Sequence, residues 1–173
     1  MSVIISPPPK KILWCYGVYQ NMFRTMPEIE FHEGLPDLNR FDGSIRTLLI
    51  LDDLMSDTDS RVSDLFTKIS HHSSVSVIFI TQNLFFANKV SRTIALNAQY
   101  LVLFQNPRDA SQITHLARQM FPGHSGLLTQ AFRDATSQPY SYLLIDLKPD
   151  TDEKHRLRAN IFPGETNFVY VHK

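Results

Sequence analysis

With 173 residues, 43% of them hydrophobic and 20% charged, the chain has the composition of one globular domain with its own core. Lys plus Arg and Asp plus Glu each number 17, so the net charge is zero; this argues against an overall electrostatic hold on nucleic acid or membrane, while leaving room for a local basic patch. No apolar run approaches a bilayer span, and Met1 to Ile5 followed by Pro7-Pro8-Pro9 lacks the basic start of a signal peptide. The single cysteine, Cys15, sits in an apolar run and reads as a small buried hydrophobe in a reducing, intracellular setting (cytoplasm or nucleus).

Residues 1–10 read as a flexible lead. Short runs rich in Ile, Val, Leu and aromatics follow at 12–16, 47–51, 75–80 and 100–104. They do not alternate polar with apolar, which is the pattern of strands buried on both faces of a parallel sheet. Longer segments at helical spacing lie between them. Val62, Leu65, Phe66 and Ile69 share a face over 61–70, with Asp59 or Ser60 as N-cap. Val90, Ile94 and Leu96 do so over 88–98. Ile113, Leu116, Ala117 and Met120 do so over 109–121, after the start signal Asn106-Pro107 and before the stop Pro122-Gly123. A further helix is expected over 125–135. The tail then changes character: strand candidates at 140–147, 158–162 and 168–171 have no helices between them and suggest an antiparallel addition at 140–173. Strands alternating with helices predict one compact α/β domain over 1–173, with a mostly parallel sheet, helices on both faces and antiparallel C-terminal strands.

The sharpest chemical feature is Thr47-Leu48-Leu49-Ile50-Leu51-Asp52-Asp53, an apolar strand running straight into two carboxylates. In a doubly wound sheet, the carboxyl ends of the strands face the ligand crevice. One carboxylate there can hold Mg²⁺ and a second can orient an attacking water; the plainer alternative is a strand end whose acids satisfy turn amides. The run 75–80 ends likewise in Thr81-Gln82-Asn83. If the two strands are parallel neighbours, Gln82 and Asp53 point into one crevice, where a neutral amide can hydrogen-bond both a terminal phosphate and a water. Thr81 and Asn83 can equally cap the next helix.

The stretches Leu48 to Met55, Ile80 to Asn83 and Ser91 to Tyr100 resemble the FtsK–HerA superfamily of P-loop ATPases, and within it the poxvirus-type DNA-packaging ATPases of Maverick/Polinton elements and adintoviruses. The resemblance covers about residues 10 to 145. It implies a P-loop NTPase (RecA/FtsK-like) fold, Mg²⁺ and ATP as cofactors, a homo-oligomeric ring, and double-stranded DNA and a capsid as partners, with no membrane and a virion association if viral. By the same resemblance Asp52 serves Mg²⁺, Asp53 activates water and Gln82 is the sensor. Arg92 is the candidate arginine finger, placing a guanidinium on developing phosphate charge in a neighbouring subunit, and Arg108 is the second candidate.

One departure qualifies that picture. A P-loop needs G-x-x-x-x-G-K-[ST], and no Gly-Lys pair occurs in the chain. Gly123-His124-Ser125-Gly126, at a helix start, lacks the lysine and the preceding strand. The strand–loop–helix unit bearing the P-loop is therefore expected to be missing. In the family its strand lies between those matched by 75–80 and 100–104, so each of these would be left with an unpaired edge unless they close on each other. The expectation is an ATPase derivative deficient in ATP binding on its own, or else a non-catalytic interaction module or the remnant of an integrated viral gene. His71-His72 lacks further ligands and reads as a helix C-terminus rather than a metal site. Residues 148–158 read as a solvated hairpin rather than a DNA contact, Lys89 and Arg92 as alternative phosphate contacts, Phe85-Phe86 as core or else a subunit contact, and Trp14 as core.

Overall fold

The structure, a computed structural model, describes residues 5–54, 60–69, 74–83, 89–107 and 111–172. Its internal contacts divide the chain between Asn97 and Ala98 into two compact units. No helix among the described residues is long and apolar enough to cross a membrane.

The first unit is built on a parallel sheet of β1 (Lys11–Tyr16), β2 (Glu30–Glu33), β3 (Thr47–Asp52) and β4 (Val75–Ile80), in the order β2-β1-β3-β4. β3, a central strand, is the one the sequence describes best: Thr47 to Leu51 are all buried, as a strand covered on both faces requires. A short helix, α1 (Ser60–Asp64), runs into a π-helical turn (Leu65–Ile69), and α2 (Lys89–Asn97) follows β4. Val62, Leu65, Phe66 and Ile94 from these helices close over Leu13, Cys15, Leu49 and Leu51 to make the core. At full burial each such side chain contributes on the order of 1.5–3 kcal/mol.

The other face differs from the expected second helical layer. Among the described residues it carries an aromatic cluster, in which Phe23 stacks on Phe31 with ring centroids 4.4 Å apart and Trp14 and Tyr16 pack against Phe23. A one-turn 3₁₀ helix (Asn21–Thr25) positions Phe23 there. This cluster lies over β1 and β2, and on the β4 side Ile78 and Ile80 remain exposed. Leu96, expected on the buried side of α2, is also exposed, and Ile94 alone of the two enters the core.

The second unit holds β5 (Tyr100–Phe104), α3 (Ser111–Met120), α4 (Ser125–Ala135), β6 (Tyr142–Asp146), β7 (Leu157–Ala159) and β8 (Phe168–Tyr170). Its strands form an antiparallel sheet in the order β5-β6-β7-β8. Ile113, Leu116 and Ala117 of α3 and Leu128, Ala131 and Ala135 of α4 are buried, at the spacing that puts each set on one helix face.

Three expectations change here. β5 pairs antiparallel with β6 rather than joining a parallel sheet, because Tyr100 to Phe104 align in reverse with Tyr142 to Asp146. β6 starts at Tyr142 rather than at 140, because Tyr140 sits at φ 64°, outside the extended region. β7 stops at Ala159 rather than at 162, because Asn160 turns the chain at φ 55°.

The hairpin between β6 and β7 is solvated at its tip, where Asp152 to His155 are exposed, and tied together at its base. Asp146 is buried and accepts a 2.6 Å bond from Arg158 Nη2. Arg156 Nη1 donates to the carbonyls of Asp146 and Lys148, each at 3.0 Å. Both arginines therefore tie the turn together while staying partly exposed.

Candidate functional site

β3 and β4 are parallel neighbours, as the sequence requires for a shared crevice, with Asp52 opposite Ile80. That register carries Asp53 and the Thr81-Gln82 pair to the same end of the sheet, beyond the carboxyl ends of both strands. Parallel pairing in register is the geometric condition for the two strand ends to act on one ligand, and it is met.

Asp52 is held rather than free. Its Oδ2 accepts a 3.2 Å hydrogen bond from Trp14 Nε1, across 38 residues of sequence. Trp14 stands on β1 opposite Ile50, so indole and carboxylate share the aromatic face of the sheet. The indole, expected as simple core, thus has a polar partner, as a partly buried Trp N–H generally does. That bond engages one of the two carboxylate oxygens of Asp52.

Asp53 is exposed and adopts φ 53°, in the left-handed region that few non-glycine residues enter. Aspartate tolerates this better than most side chains. Gly17 is the reason the turn fits: its N–H donates to Asp52 O at 3.2 Å, and a Cβ on it would stand 2.8 Å from Asp53 O. The end of β1 and the end of β3 are packed that tightly. The sequence marks the place only as a glycine after an apolar run, a turn signal without a partner.

Past β4, Thr81 Oγ1 donates to Asn83 O at 3.0 Å, and Asn83 N donates to Thr81 Oγ1 at 3.2 Å. This local turn leaves Gln82 exposed at its apex. Arg92 is exposed on α2. Lys89 opens the same helix. The register joins Asp52, Asp53 and Gln82 at one sheet end; for Arg92 it supplies no such placement. Arg108, His71, His72, Phe85, Phe86 and the cap candidate Asp59 lie outside the described residues.

The donor set can be tested against Mg²⁺ and ATP. Mg²⁺ bound to a nucleotide uses one or two protein carboxylates and completes its shell with phosphate and water. Asp52 and Asp53 offer that much. Among the described residues, no group of three or more His, Cys, Asp or Glu could hold a metal alone. For the phosphates the fit fails, since the sequence holds no Gly-Lys pair to supply the cradle. Gly123-His124-Ser125-Gly126 does sit at the start of α4, but His124 makes no side-chain cap there. An open hollow of about 540 Å³ lies elsewhere in the first unit, lined by Pro36, Leu38, Phe41, Arg61 and Asp64 among others, and none of Asp52, Asp53, Gln82 or Arg92 borders it. No protein-family model matches the sequence, and no curated protein or solved structure does so either.

Proposed function

We propose that this chain is a derivative of a viral-type DNA-packaging ATPase that keeps the acid and sensor strand ends of a P-loop NTPase and binds ATP weakly or not at all by itself. The observation that carries the reading is the in-register parallel pairing of β3 and β4, each ending on polar groups at the same sheet end. Strand order supports it as well. The resemblance puts the strands at 75–80 and 100–104 on either side of the phosphate-loop strand, and β4 and β5 are each terminal in their own sheets.

In this reading Asp52, steadied by Trp14, offers one oxygen to a nucleotide-bound Mg²⁺. Asp53 takes the proton of the attacking water and Gln82 hydrogen-bonds that water and the terminal phosphate. Arg92 is assigned to a neighbouring subunit's site. Each role depends on a phosphate cradle that these residues do not provide, which is why binding by the chain alone is expected to be poor.

The test has two arms. Titration of the chain with Mg²⁺ and a fluorescent ATP analogue is expected to show no affinity tighter than about 10 µM, equivalent to ~7 kcal/mol; a tighter constant refutes the deficiency. Mixed with a family member that bears a P-loop but carries a disabled acid pair, the chain is expected to support hydrolysis that D53N and Q82A each reduce. Hydrolysis indifferent to both substitutions, or none at all, removes the catalytic assignment. The latter result leaves the interaction-module reading, which the terminal positions of β4 and β5 favour.

A further inference from the structure

The antiparallel unit ends on β5, and this strand has none of the usual defences of a sheet edge. Natural edge strands are short, charged, bulged or interrupted by proline, which prevents pairing with another chain. β5 is five residues long and wholly apolar, and no charged residue occurs between Arg92 and Arg108. Among the described residues, its outward face is also uncovered. Tyr100, Val102 and Phe104 are 45%, 48% and 58% exposed, although their partners Asp146, Leu144 and Tyr142 on β6 are buried. By contrast β8, at the other end of the sheet, has only three residues.

The order of residues on this edge identifies its occupant. Gln99-Tyr100-Leu101-Val102-Leu103-Phe104-Gln105 reads nearly the same in both directions about Val102. An antiparallel strand of the same sequence, centred on Val102, would set Val102 against Val102, Leu101 against Leu103, Tyr100 against Phe104 and Gln99 against Gln105. Every pair is of like kind: aliphatic on aliphatic, aromatic on aromatic, amide on amide. Cross-strand pairs of this sort are the units that stabilise a sheet. β4 lacks such symmetry, since Val75-Ser76-Val77 does not mirror Ile78-Phe79-Ile80.

Backbone polarity agrees with this register. Leu147 N donates to Gln99 O at 2.8 Å, so the polar groups of Gln99, and by alternation those of Leu101 and Leu103, point toward β6. Those of Tyr100, Val102 and Phe104 therefore point to the open edge. In the Val102-centred pairing these are the residues that face one another, giving about six inter-chain backbone hydrogen bonds. Charge offers no opposition. Lys148 Nζ lies 5.5 Å from the Tyr100 ring, at one end of the strand, and a two-fold axis at Val102 puts its counterpart at the other end.

We infer that β5 is a self-recognition edge, through which two copies of this chain join their antiparallel sheets about a two-fold axis at Val102. The contact uses the same patch on both copies, so it closes at two. It draws on the second unit alone, and it uses the edge that the ATPase reading assigns to the phosphate-loop strand, so a chain that supplies that strand would compete with it.

Sedimentation equilibrium of the full chain is expected to show a monomer–dimer equilibrium. V102K, which sets two ammonium groups against each other on the axis, is expected to weaken it at least tenfold, with circular dichroism checking the fold. Register is read by mild oxidation. V102C should link to itself, because facing Cα atoms in such a pair lie about 5.5 Å apart, within disulfide range. Y100C should link to F104C in a mixture and not to itself, while wild type, whose Cys15 is buried, stays unlinked. A monomer at about 100 µM, a mass insensitive to V102K, or Y100C linking to itself as readily as V102C does would each overturn the inference. Should V102K not fold, the cysteine series decides alone.

Discussion

Substitution of Gly17 by alanine probes the packing that sets the acid pair in place. The new Cβ would stand 2.8 Å from Asp53 O, well inside the 3.4 Å at which ordinary contact begins. The obstructing atom is a backbone carbonyl, so no side chain can swing aside. Nor can the ends of β1 and β3 separate freely, because Gly17 N is bonded to Asp52 O at 3.2 Å. Overpacking of this kind costs about 1–3 kcal/mol. The smaller entropy of the unfolded alanine chain returns about 0.4–1 kcal/mol, which leaves a net loss of about 1–2 kcal/mol. Urea unfolding followed by Trp14 fluorescence measures it, because the protein has one tryptophan and its indole is bonded to Asp52. The native emission should shift too, as displacement of β3's end changes that bond. Gly126 is the control: nothing lies within 4 Å of its added Cβ, and it belongs to α4. G126A should therefore be neutral or stabilising by up to about 1 kcal/mol. If G17A unfolds with wild type to within about 0.3 kcal/mol, or leaves Trp14 emission unchanged, the close approach is not what holds Asp53 in its conformation.

Two further substitutions or probes test the units separately. R158M removes the partner of Asp146, whose side chain is 4% exposed against 28% for Arg158. Loss of one member of a buried pair costs about 3–5 kcal/mol, and the partly exposed guanidinium lowers this to about 2–3 kcal/mol. Circular dichroism in urea reads the loss; D146N/R158M should regain part of it, and a loss below about 0.5 kcal/mol refutes the role given to the pair. Cys15 reports on the first unit. Cys15 is fully buried, and burial pushes its thiol up to about 12, so labelling by an aromatic disulfide at pH 8 must wait for the core to open and should run orders of magnitude slower than for a free thiol. Complete labelling of the folded protein within seconds would show that the core of the parallel sheet opens freely.

The central strand β3 and the placement of its acids were legible in the sequence because both follow from local pattern. An apolar run ending on Asp52-Asp53 describes a strand and its terminus without reference to any neighbour. The parallel pairing of β3 with β4 was also reachable, since two such runs separated by a helical segment imply a crossover. β2 was not. Glu30-Phe31-His32-Glu33 carries charge because it lies at an edge, where Glu30 bonds Lys11 and Arg40 at 2.6 and 2.8 Å. β5 misled for the opposite reason. Its apolar composition signals burial on both faces, yet composition cannot name a partner, and β6 binds it in reverse. The ties at the site escaped for want of any local signal: Trp14 meets Asp52 across 38 residues, and Gly17 is defined by a carbonyl on another strand.

Those ties bear on what the acid pair can do. Asp52 takes its orientation from Trp14, and Asp53 takes its backbone conformation from the fit against Gly17. Both supports are parts of the folded sheet, so the Asp52 carboxylate and the Asp53 backbone are set before any ligand arrives. Preorganisation of this kind raises affinity only by the ordering cost it removes, and it supplies no new contact to a ligand. Two carboxylates bring no positive charge to bind a triphosphate, and they hold Mg²⁺ weakly, since that ion gives up its water reluctantly. Occupancy must then be decided by whatever delivers the phosphates. On the proposed reading the acid pair is therefore half of a site, and any activity would be a property of the assembly that supplies the cradle.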